Sequence, residues 1–184
     1  MSRLVVLAGP TAVGKGTLLR AVLDRNPDIW VSVSATTRPA RPGEQDGIHY
    51  HFVSDERFDE LIEQDGLLEW ATVHGKHRYG TPRAGVDEAL QAGRPAVLEI
   101  DLDGVRQVKQ TMPDALFVFV LPPSWEELVS RLEGRGTEDE AERMRRLATA
   151  RDELMAIDEF DETVINDDLD TAVAELERLI TQAR

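Results

Sequence analysis

A glycine-rich segment near the N-terminus has the composition and spacing of a phosphate-binding loop. The apolar run Leu4–Ala8 predicts a buried strand, and the sequence GPTAVGKGT follows it at residues 9–17. Glycines would let the backbone N–H groups turn onto phosphate oxygens, and Lys15 would add a positive charge. The leucines and valines that come next predict an amphipathic helix. A glycine-rich turn with a surface lysine is the alternative, but strand, loop and helix occur in the order that phosphate binding requires.

The residue after the lysine departs from the usual form of such a loop. That position normally carries a hydroxyl that holds Mg²⁺, whereas this chain has Gly16 and places the hydroxyl at Thr17. Glu99 and Asp101 end an apolar segment, and their spacing places both on one face at the tip of a strand, where open parallel sheets bind ligands. We expect Thr17 and Glu99 to hold the metal, directly or through water. A pair of solvated carboxylates is the alternative interpretation.

A second candidate phosphate site lies in a loop that is stiffened by prolines. Arg38 and Arg41 alternate there with Pro39 and Pro42, and the fixed backbone of proline lowers the entropy lost on binding. The guanidinium fork binds phosphate through two hydrogen bonds. Because the chain uses arginine much more than lysine, one arginine would carry little weight. Two in a rigid loop of an acidic protein indicate phosphate binding.

Strands and helices alternate along most of the chain. Strands are predicted at 4–8, 30–34, 48–52, 96–101, 116–121 and 163–165, and helices at 14–25, 54–66, 82–91, 124–132, 137–157 and after 168. This order predicts an α/β fold, with a parallel sheet covered by helices on both faces. The alternation breaks between residues 34 and 81. We therefore expect a core of residues 1–33 and 82–184, and a small mixed insertion at 34–81 that holds a second substrate.

Composition limits the classes of partner. The chain has 184 residues, a net charge of -14 and no cysteine, which argues against nucleic acid as a partner and excludes disulfides and thiolate catalysis. No apolar stretch approaches the ~20 residues that span a bilayer. The first strand begins close to the first residue, which leaves no room for a secretory signal. The expectation is a cytoplasmic protein with no membrane attachment and no evident obligate protein partner.

Several short segments occur in an order that is typical of one enzyme family. They are VSATTR at 33–38, RPGE at 41–44, DGIHY at 46–50, LEWA at 68–71, GT at 80–81, LEID at 98–101, RLEGRGT at 131–137 and INDD at 165–168. With the loop at 9–17, this set resembles the guanylate kinases, which are nucleoside monophosphate kinases of the phosphate-loop fold, and it covers nearly the whole chain. The resemblance implies transfer of the γ-phosphoryl group of ATP to GMP, and to dGMP, with Mg²⁺ as cofactor.

The resemblance also assigns roles to individual residues. It assigns ATP binding to Gly9, Pro10, Thr11, Ala12, Val13, Gly14, Lys15, Gly16, Thr17 and Asn166. It assigns the GMP phosphate to Arg38, Arg41, Tyr50 and Tyr79, and guanine to Ser34, Glu69, Thr81 and Asp101. The catalytic cations would be Lys15, Arg38, Arg131, Arg135 and Arg146, and the segment 131–150 would form a helical, mobile lid. The chain departs from the family pattern at Gly16 and at GKHRYG, 75–80, which is one residue longer than the common form.

Two other function classes are compatible with parts of this sequence. One is a non-catalytic interaction module related to guanylate kinases, but such modules typically have degraded phosphate loops, and this chain keeps the loop glycines and Lys15. The other is a phosphate-loop kinase for another nucleoside monophosphate, such as AMP. Glu69 favours GMP, because a carboxylate accepts hydrogen bonds from N1–H and the 2-amino group of guanine, and adenine has neither donor.

Overall fold

Nine strands and seven α-helices make up the fold of the described part of the chain, which is residues 3–73, 75–133 and 140–182 of a computed structural model. The strands are β1 (Leu4–Ala8), β2 (Trp30–Val31), β3 (Ala35–Thr36), β4 (His51–Phe52), β5 (Leu67–Val73), β6 (His77–Pro82), β7 (Ala96–Glu99), β8 (Leu116–Leu121) and β9 (Glu162–Ile165). The helices are α1 (Lys15–Arg25), α2 (Asp55–Glu63), α3 (Arg83–Gln91), α4 (Leu102–Thr111), α5 (Trp125–Glu133), α6 (Glu140–Met155) and α7 (Leu169–Gln182).

The larger sheet is parallel and covered on both faces, so the predicted α/β architecture is confirmed. Its strand order is β2-β7-β1-β8-β9, and every neighbouring pair is parallel. Side chains alternate across β1: Val5 and Leu7 pack with α1, α5 and α7, whereas Leu4 and Val6 pack with α3 and α4. This period of two buries both faces of one strand. The sheet therefore presents the carboxyl ends of β1 and β7 at one edge, where the loop after β1 begins.

A second, mixed sheet is built between Ala35 and Pro82. Its order is β4-β3-β6-β5, with β5 and β6 forming an antiparallel hairpin. Phe58 of α2 packs under this sheet with Ala35 and Leu67. At Gly80 a Cβ would lie only 2.8 Å from the backbone oxygen of Glu69, so glycine allows β5 and β6 to approach closely.

The predicted strand at 30–34 is wrong in its extent. β2 ends at Val31, and the chain then leaves the parallel sheet and enters the second sheet at Ala35. The predicted strand at 48–52 is likewise reduced to His51–Phe52, because residues 45–49 form a turn in which the Gly47 N–H donates to the Tyr50 oxygen. The alternating valines and serines of residues 31–34 thus span the passage from one sheet to the other and do not form one strand.

Sequence patterns did not predict helix α4. Asp101 caps its N-terminus by accepting a hydrogen bond from the Gly104 N–H at 2.8 Å, and Val105 and Val108 face the core. Its exposed face carries charges and its first turn contains a glycine, which hides the helical period. This helix lies between the two sheets, so its absence from the prediction matters for the site.

Three other predicted helices begin at a side-chain cap. Ser54, Ser124 and Asp168 accept hydrogen bonds from the backbone N–H groups of residues 57, 127 and 171. The predicted start of α6 at residue 137 lies outside the described residues. No helix within the described ranges is long and apolar enough to cross a membrane.

Candidate active site

The loop after β1 takes the strained backbone that a phosphate loop needs. Gly9 has φ 149° and Gly14 has φ 98°, and Gly14 is the residue that precedes α1. A Cβ at Gly9 would lie 2.5 Å from the Val120 oxygen of β8, and one at Gly14 would lie 2.6 Å from the Asn166 amide nitrogen. Glycine is therefore required at both positions by conformation and by space. The loop, which includes Pro10, Thr11, Ala12 and Val13, lies at the N-terminus of a helix, which favours anions.

The ammonium group of Lys15 lies inside this loop. Its Nζ donates hydrogen bonds to the backbone oxygens of Gly9 and Pro10, the second at 3.2 Å. Burial lowers the pKa of Lys15, and the negative charges of Glu99, Glu153 and Asp101 oppose that change. The lysine thus places a half-buried positive charge at the loop, where it lines a cavity of about 210 Å³.

Thr17 and Glu99 line the same cavity, together with Gly16. A Cβ at Gly16 would lie 3.9 Å from a Glu99 carboxylate oxygen, so the glutamate faces the loop. Within the described ranges, no group of three or more His, Cys, Asp or Glu side chains could hold a metal ion. Mg²⁺ commonly uses one or two protein oxygens and completes its shell with phosphates and water. One hydroxyl and one carboxylate fit a metal that is bound mainly by nucleotide phosphates.

Asn166 and Arg131 support the loop from the other side. The buried Asn166 donates from Nδ2 to the Val13 oxygen at 2.8 Å. Arg131 of α5 donates to the same Val13 oxygen at 3.2 Å and to the Asn166 backbone oxygen at 3.3 Å. The structure therefore brings both predicted residues to the loop. Arg146 lies half-buried on α6, and Arg135 lies outside the described residues.

A second basic cluster lies in the mixed sheet. The buried Arg38 donates from Nε to the Tyr79 hydroxyl at 3.2 Å, and its guanidinium carbon lies 5.4 Å from the centre of the Tyr50 ring. The Tyr50 and Tyr79 rings meet edge to face at 5.8 Å. Arg41 is exposed at the rim. Three predicted phosphate-site residues are thus in contact, including Tyr79, despite the extra residue in the preceding turn.

Carboxylates gather where α4 meets the mixed sheet. The buried Thr81 hydroxyl donates to Glu69 at 2.6 Å. A Cβ at Gly104 would lie 3.3 Å from both the Glu69 and the Asp101 carboxylates, so these two groups are neighbours. Burial raises the pKa of Glu69, and the Thr81 hydrogen bond opposes this. Ser34 lies between β2 and β3, and its backbone oxygen accepts a hydrogen bond from the His51 N–H at 2.9 Å.

Comparison with known proteins decides the family. The sequence model described as guanylate kinase matches residues 1–183. The chain belongs to the guanylate kinase family. It is 57% identical to the guanylate kinase of Cutibacterium acnes over 96% of this chain and 88% of that protein. It is 55% identical to the guanylate kinase of Parasynechococcus marenigrum over 98% of both chains.

A solved structure supports the same assignment. The crystal structure of guanylate kinase from Anaplasma phagocytophilum superposes with a TM-score of 0.70 at 29% identity, covering 98% of this chain and 85% of that one. An unliganded sugar kinase from Janibacter sp. HTCC2649, 14% identical with a TM-score of 0.53, shares the fold alone. The guanylate kinases among these proteins support an ATP:GMP phosphotransferase, and they do not favour the interaction module or a kinase for another monophosphate.

Glu44 contacts two residues of the candidate site, and sequence reasoning missed it. Its carboxylate accepts hydrogen bonds from Arg38 Nη1 at 3.0 Å and Nη2 at 2.9 Å, and from the Arg41 backbone N–H at 2.7 Å. The paired Arg38 lowers the pKa of Glu44 to about 2, and the same contact raises the pKa of Arg38. Glu44 therefore joins the two predicted phosphate-binding arginines. Its position three residues after Arg41 was the available signal.

Glu153 was also missed, and no local pattern marks it. It lies near the end of α6 and accepts a hydrogen bond from the Thr11 N–H of the loop at 3.2 Å. Burial raises the pKa of Glu153, while the Thr11 hydrogen bond and the charge of Lys15 oppose the change. In this guanylate kinase fold, α6 thereby contacts the phosphate loop directly.

Proposed function

We propose that the chain transfers the γ-phosphoryl group of ATP to GMP or dGMP, giving ADP and the corresponding diphosphate. The observation that carries the proposal is the combination of a half-buried lysine, a buried arginine in a different sheet, and a pair of neighbouring carboxylates, one of which lies close to the lysine. Lys15 marks one proposed anion site and Arg38 a second. Asp101 interacts electrostatically with both Lys15 and Glu69, so the guanine end of the site lies near the phosphate loop.

The chemistry requires positioning and charge neutralisation more than acid–base catalysis. An oxygen of the GMP phosphate is already ionised; it forms a bond to the γ-phosphorus while the bond from that phosphorus to the β–γ bridging oxygen breaks. Lys15 and Arg131 are close enough to the loop to stabilise the charge that moves onto the leaving oxygens. We assign the same role to Arg135 and Arg146 by family resemblance. No histidine is needed as a base.

Mg²⁺ is the metal that we propose, with Thr17 and Glu99 as its protein-side ligands, directly or through water. Bound with ATP, Mg²⁺ would neutralise charge on the β- and γ-phosphates. This proposal is supported by the oxygen character of both side chains and by their shared cavity.

Guanine recognition is assigned to the carboxylate cluster. Thr81 already donates to one oxygen of Glu69, which fixes the rotamer of the carboxylate. Glu69 would then accept from N1–H and the 2-amino group of guanine, with Ser34 and Asp101 completing the set. Adenine would leave the second oxygen of this half-buried carboxylate without a donor from the base, and an unsatisfied acceptor in a closed site is costly.

We assign the two substrates to the two parts of the fold. Residues 1–33 and 82–184 would bind ATP, residues 34–81 would bind GMP, and 131–150 would close over both as a lid. The net charge of -14 supports small anionic substrates that are held at local basic sites, with no nucleic acid partner. We propose a cytoplasmic location, to which the absence of cysteine in the sequence is suited.

Variants that remove one cation from each site test this layout. Lys15→Met should lower kcat on the order of 100- to 1,000-fold, because a preorganised charge acts most strongly as charge moves in the transition state. Arg41→Ala should raise the KM for GMP roughly tenfold to a hundredfold through the loss of charged hydrogen bonds, and should leave the KM for ATP nearly unchanged. Steady-state kinetics with each substrate varied in turn would measure both effects.

Two exposed cations provide matched controls. Lys76→Met and Arg57→Ala remove the same charges from the surface of the mixed-sheet region, and both should behave as wild type. A Lys15→Met enzyme with near-normal turnover would contradict the loop assignment. Equal changes in KM for ATP and GMP in Arg41→Ala would contradict the two-site layout.

A further inference from the structure

The outer edge of β5 is paired by side chains of α4 in place of a further strand. β5 is the last strand of the mixed sheet, and its other edge pairs with β6. The Trp70 N–H donates to Gln107 Oε1 at 3.1 Å, and Gln107 Nε2 donates to the Trp70 oxygen at 3.0 Å. A primary amide offers a donor and an acceptor side by side, so it pairs with both backbone groups of one residue as a neighbouring strand would.

A second contact repeats this arrangement two residues earlier on the same edge. The Thr111 hydroxyl donates to the Leu68 backbone oxygen at 2.8 Å. Leu68 and Trp70 are the residues on either side of Glu69. The backbone is therefore held by α4 both before and after the carboxylate that we assign to guanine recognition.

The same helix also fixes the other carboxylate of the pair. Asp101 caps the N-terminus of α4, and Gly104 leaves the space in which the Asp101 and Glu69 carboxylates approach each other. α4 thus sets the positions of both acidic groups. Because α4 packs on the parallel sheet and β5 belongs to the mixed sheet, Gln107 also links the two halves of the enzyme.

We propose that Gln107 is a positioning residue for guanine selectivity, which it achieves by holding the Trp70 backbone so that Glu69 faces the base. The inference rests on the proposed function. Glu69 gains hydrogen bonds only from guanine, so a shift of its backbone weakens GMP binding and leaves AMP binding almost unchanged. ATP contacts a different loop and is unaffected.

Two substitutions distinguish the effect of the hydrogen bonds between Gln107 and the Trp70 backbone from the effect of side-chain packing. Gln107→Met keeps the length of the side chain and removes both hydrogen bonds, and Gln107→Glu keeps the acceptor and loses the donor near neutral pH. Gln107 lines a cavity of about 180 Å³ beside Trp70, so a methionine can be accommodated there. Gln110→Met, at an exposed position of the same helix, is the matched control.

The expected result is a selective loss in the use of GMP. Gln107→Met should raise the KM for GMP about tenfold, because a displaced Glu69 would lose about one hydrogen bond between its charged carboxylate and guanine. It should reduce the ratio of kcat/KM for GMP over AMP by a similar factor, with the KM for ATP within about twofold of wild type. The KM for GMP and the GMP preference of Gln107→Glu should lie between those of Gln107→Met and wild type. Gln110→Met should match wild type in both.

Other outcomes overturn the inference and can be told apart. A Gln107→Met enzyme that keeps its GMP preference, or loses ATP and GMP affinity equally, would show that the pairing only satisfies the sheet edge. If that variant does not fold, a Gln107→Glu enzyme with wild-type selectivity would have the same meaning. A wild-type enzyme that prefers another monophosphate would instead overturn the proposed function itself.

Discussion

Both arginines of the proposed GMP phosphate site depend on one acidic side chain. Glu44 holds the guanidinium of Arg38 and the backbone of Arg41, and Arg38 keeps the pKa of Glu44 at about 2, below its ordinary 4.5. A carboxyl group with a depressed pKa stabilises the folded state above its unfolded pKa, and this contribution is lost as the pH falls through the folded value. The contribution of Glu44 should therefore be complete above about pH 4.5 and should disappear towards pH 2.

Glu44→Gln tests this dependence. The variant should unfold at lower urea concentration than wild type above pH 4.5, and the difference should narrow as the pH falls towards 2. It should also raise the KM for GMP, because neither arginine is held in place. Glu60→Gln breaks an exposed pair with Arg57 on the neighbouring helix and should change neither quantity. A stability difference that is independent of pH across this range would show that Glu44 acts through packing and not through its charge.

Motif residues could be read from the sequence because their chemistry is local. Lys15 follows the loop glycines, and Arg38 lies among prolines, so residue type and spacing were sufficient. Glu153 and Gln107 were missed because each contacts backbone that is distant in the chain, 142 and 37 residues away. Backbone N–H and C=O groups occur at every residue, so a sequence carries no mark of which ones a side chain will reach.

The helices and strands also divide into those that local sequence predicts and those that depend on distant contacts. Long apolar strands and capped helices were predicted well, since burial of both faces of a sheet requires them. Helix α4 was missed because most of its surface is polar, and β2 was predicted too long because its continuation pairs in the other sheet. Short strands depend on their partners more than on their own residues. Helix α4 and the passage from β2 to β3, which lie where the two sheets meet, were thus harder to predict than β1 and α1 beside the loop.

Helices α5 and α6 contact the phosphate loop and should respond to ligands. Arg131 of α5 reaches the Val13 oxygen, and Glu153 of α6 accepts from Thr11. Nucleotide phosphates would compete for these groups, and closure would hold the arginines in a drier site where their charge acts more strongly. We expect amides in 140–150 to exchange more slowly with an ATP–GMP bisubstrate analogue.

Hydrogen exchange measured by mass spectrometry, with and without the analogue, would check this expectation. Leu169–Gln182 of α7 packs in the core and serves as the internal reference, with unchanged protection. Equal protection of 140–150 in both states would contradict a closing lid. The arginines of these helices would then belong to a preformed site or be ordinary surface charges.

The whole molecule is an acidic protein with two separate basic sites. Its net charge is -14, yet Lys15 is half-buried and Arg38 is buried at the two positions where we propose that phosphate binds. A negatively charged surface repels extended polyanions, whereas a small nucleotide can enter a site that has a local positive charge. We assign one site to the parallel sheet and the other to the mixed sheet, and Asp101 of the acidic pair lies close enough to Lys15 to interact with its charge.

Acceptor selectivity is the property that tests this account most directly. ADP release would be followed in a coupled assay with ATP, Mg²⁺ and one acceptor at a time: GMP, dGMP, AMP, CMP or UMP. We predict rapid turnover with GMP and dGMP and little with the other three, because only guanine donates to Glu69 from both N1–H and the 2-amino group. Comparable turnover with AMP, or no ADP release with any acceptor from a folded protein, would contradict the assignment of this chain as an ATP:GMP phosphotransferase.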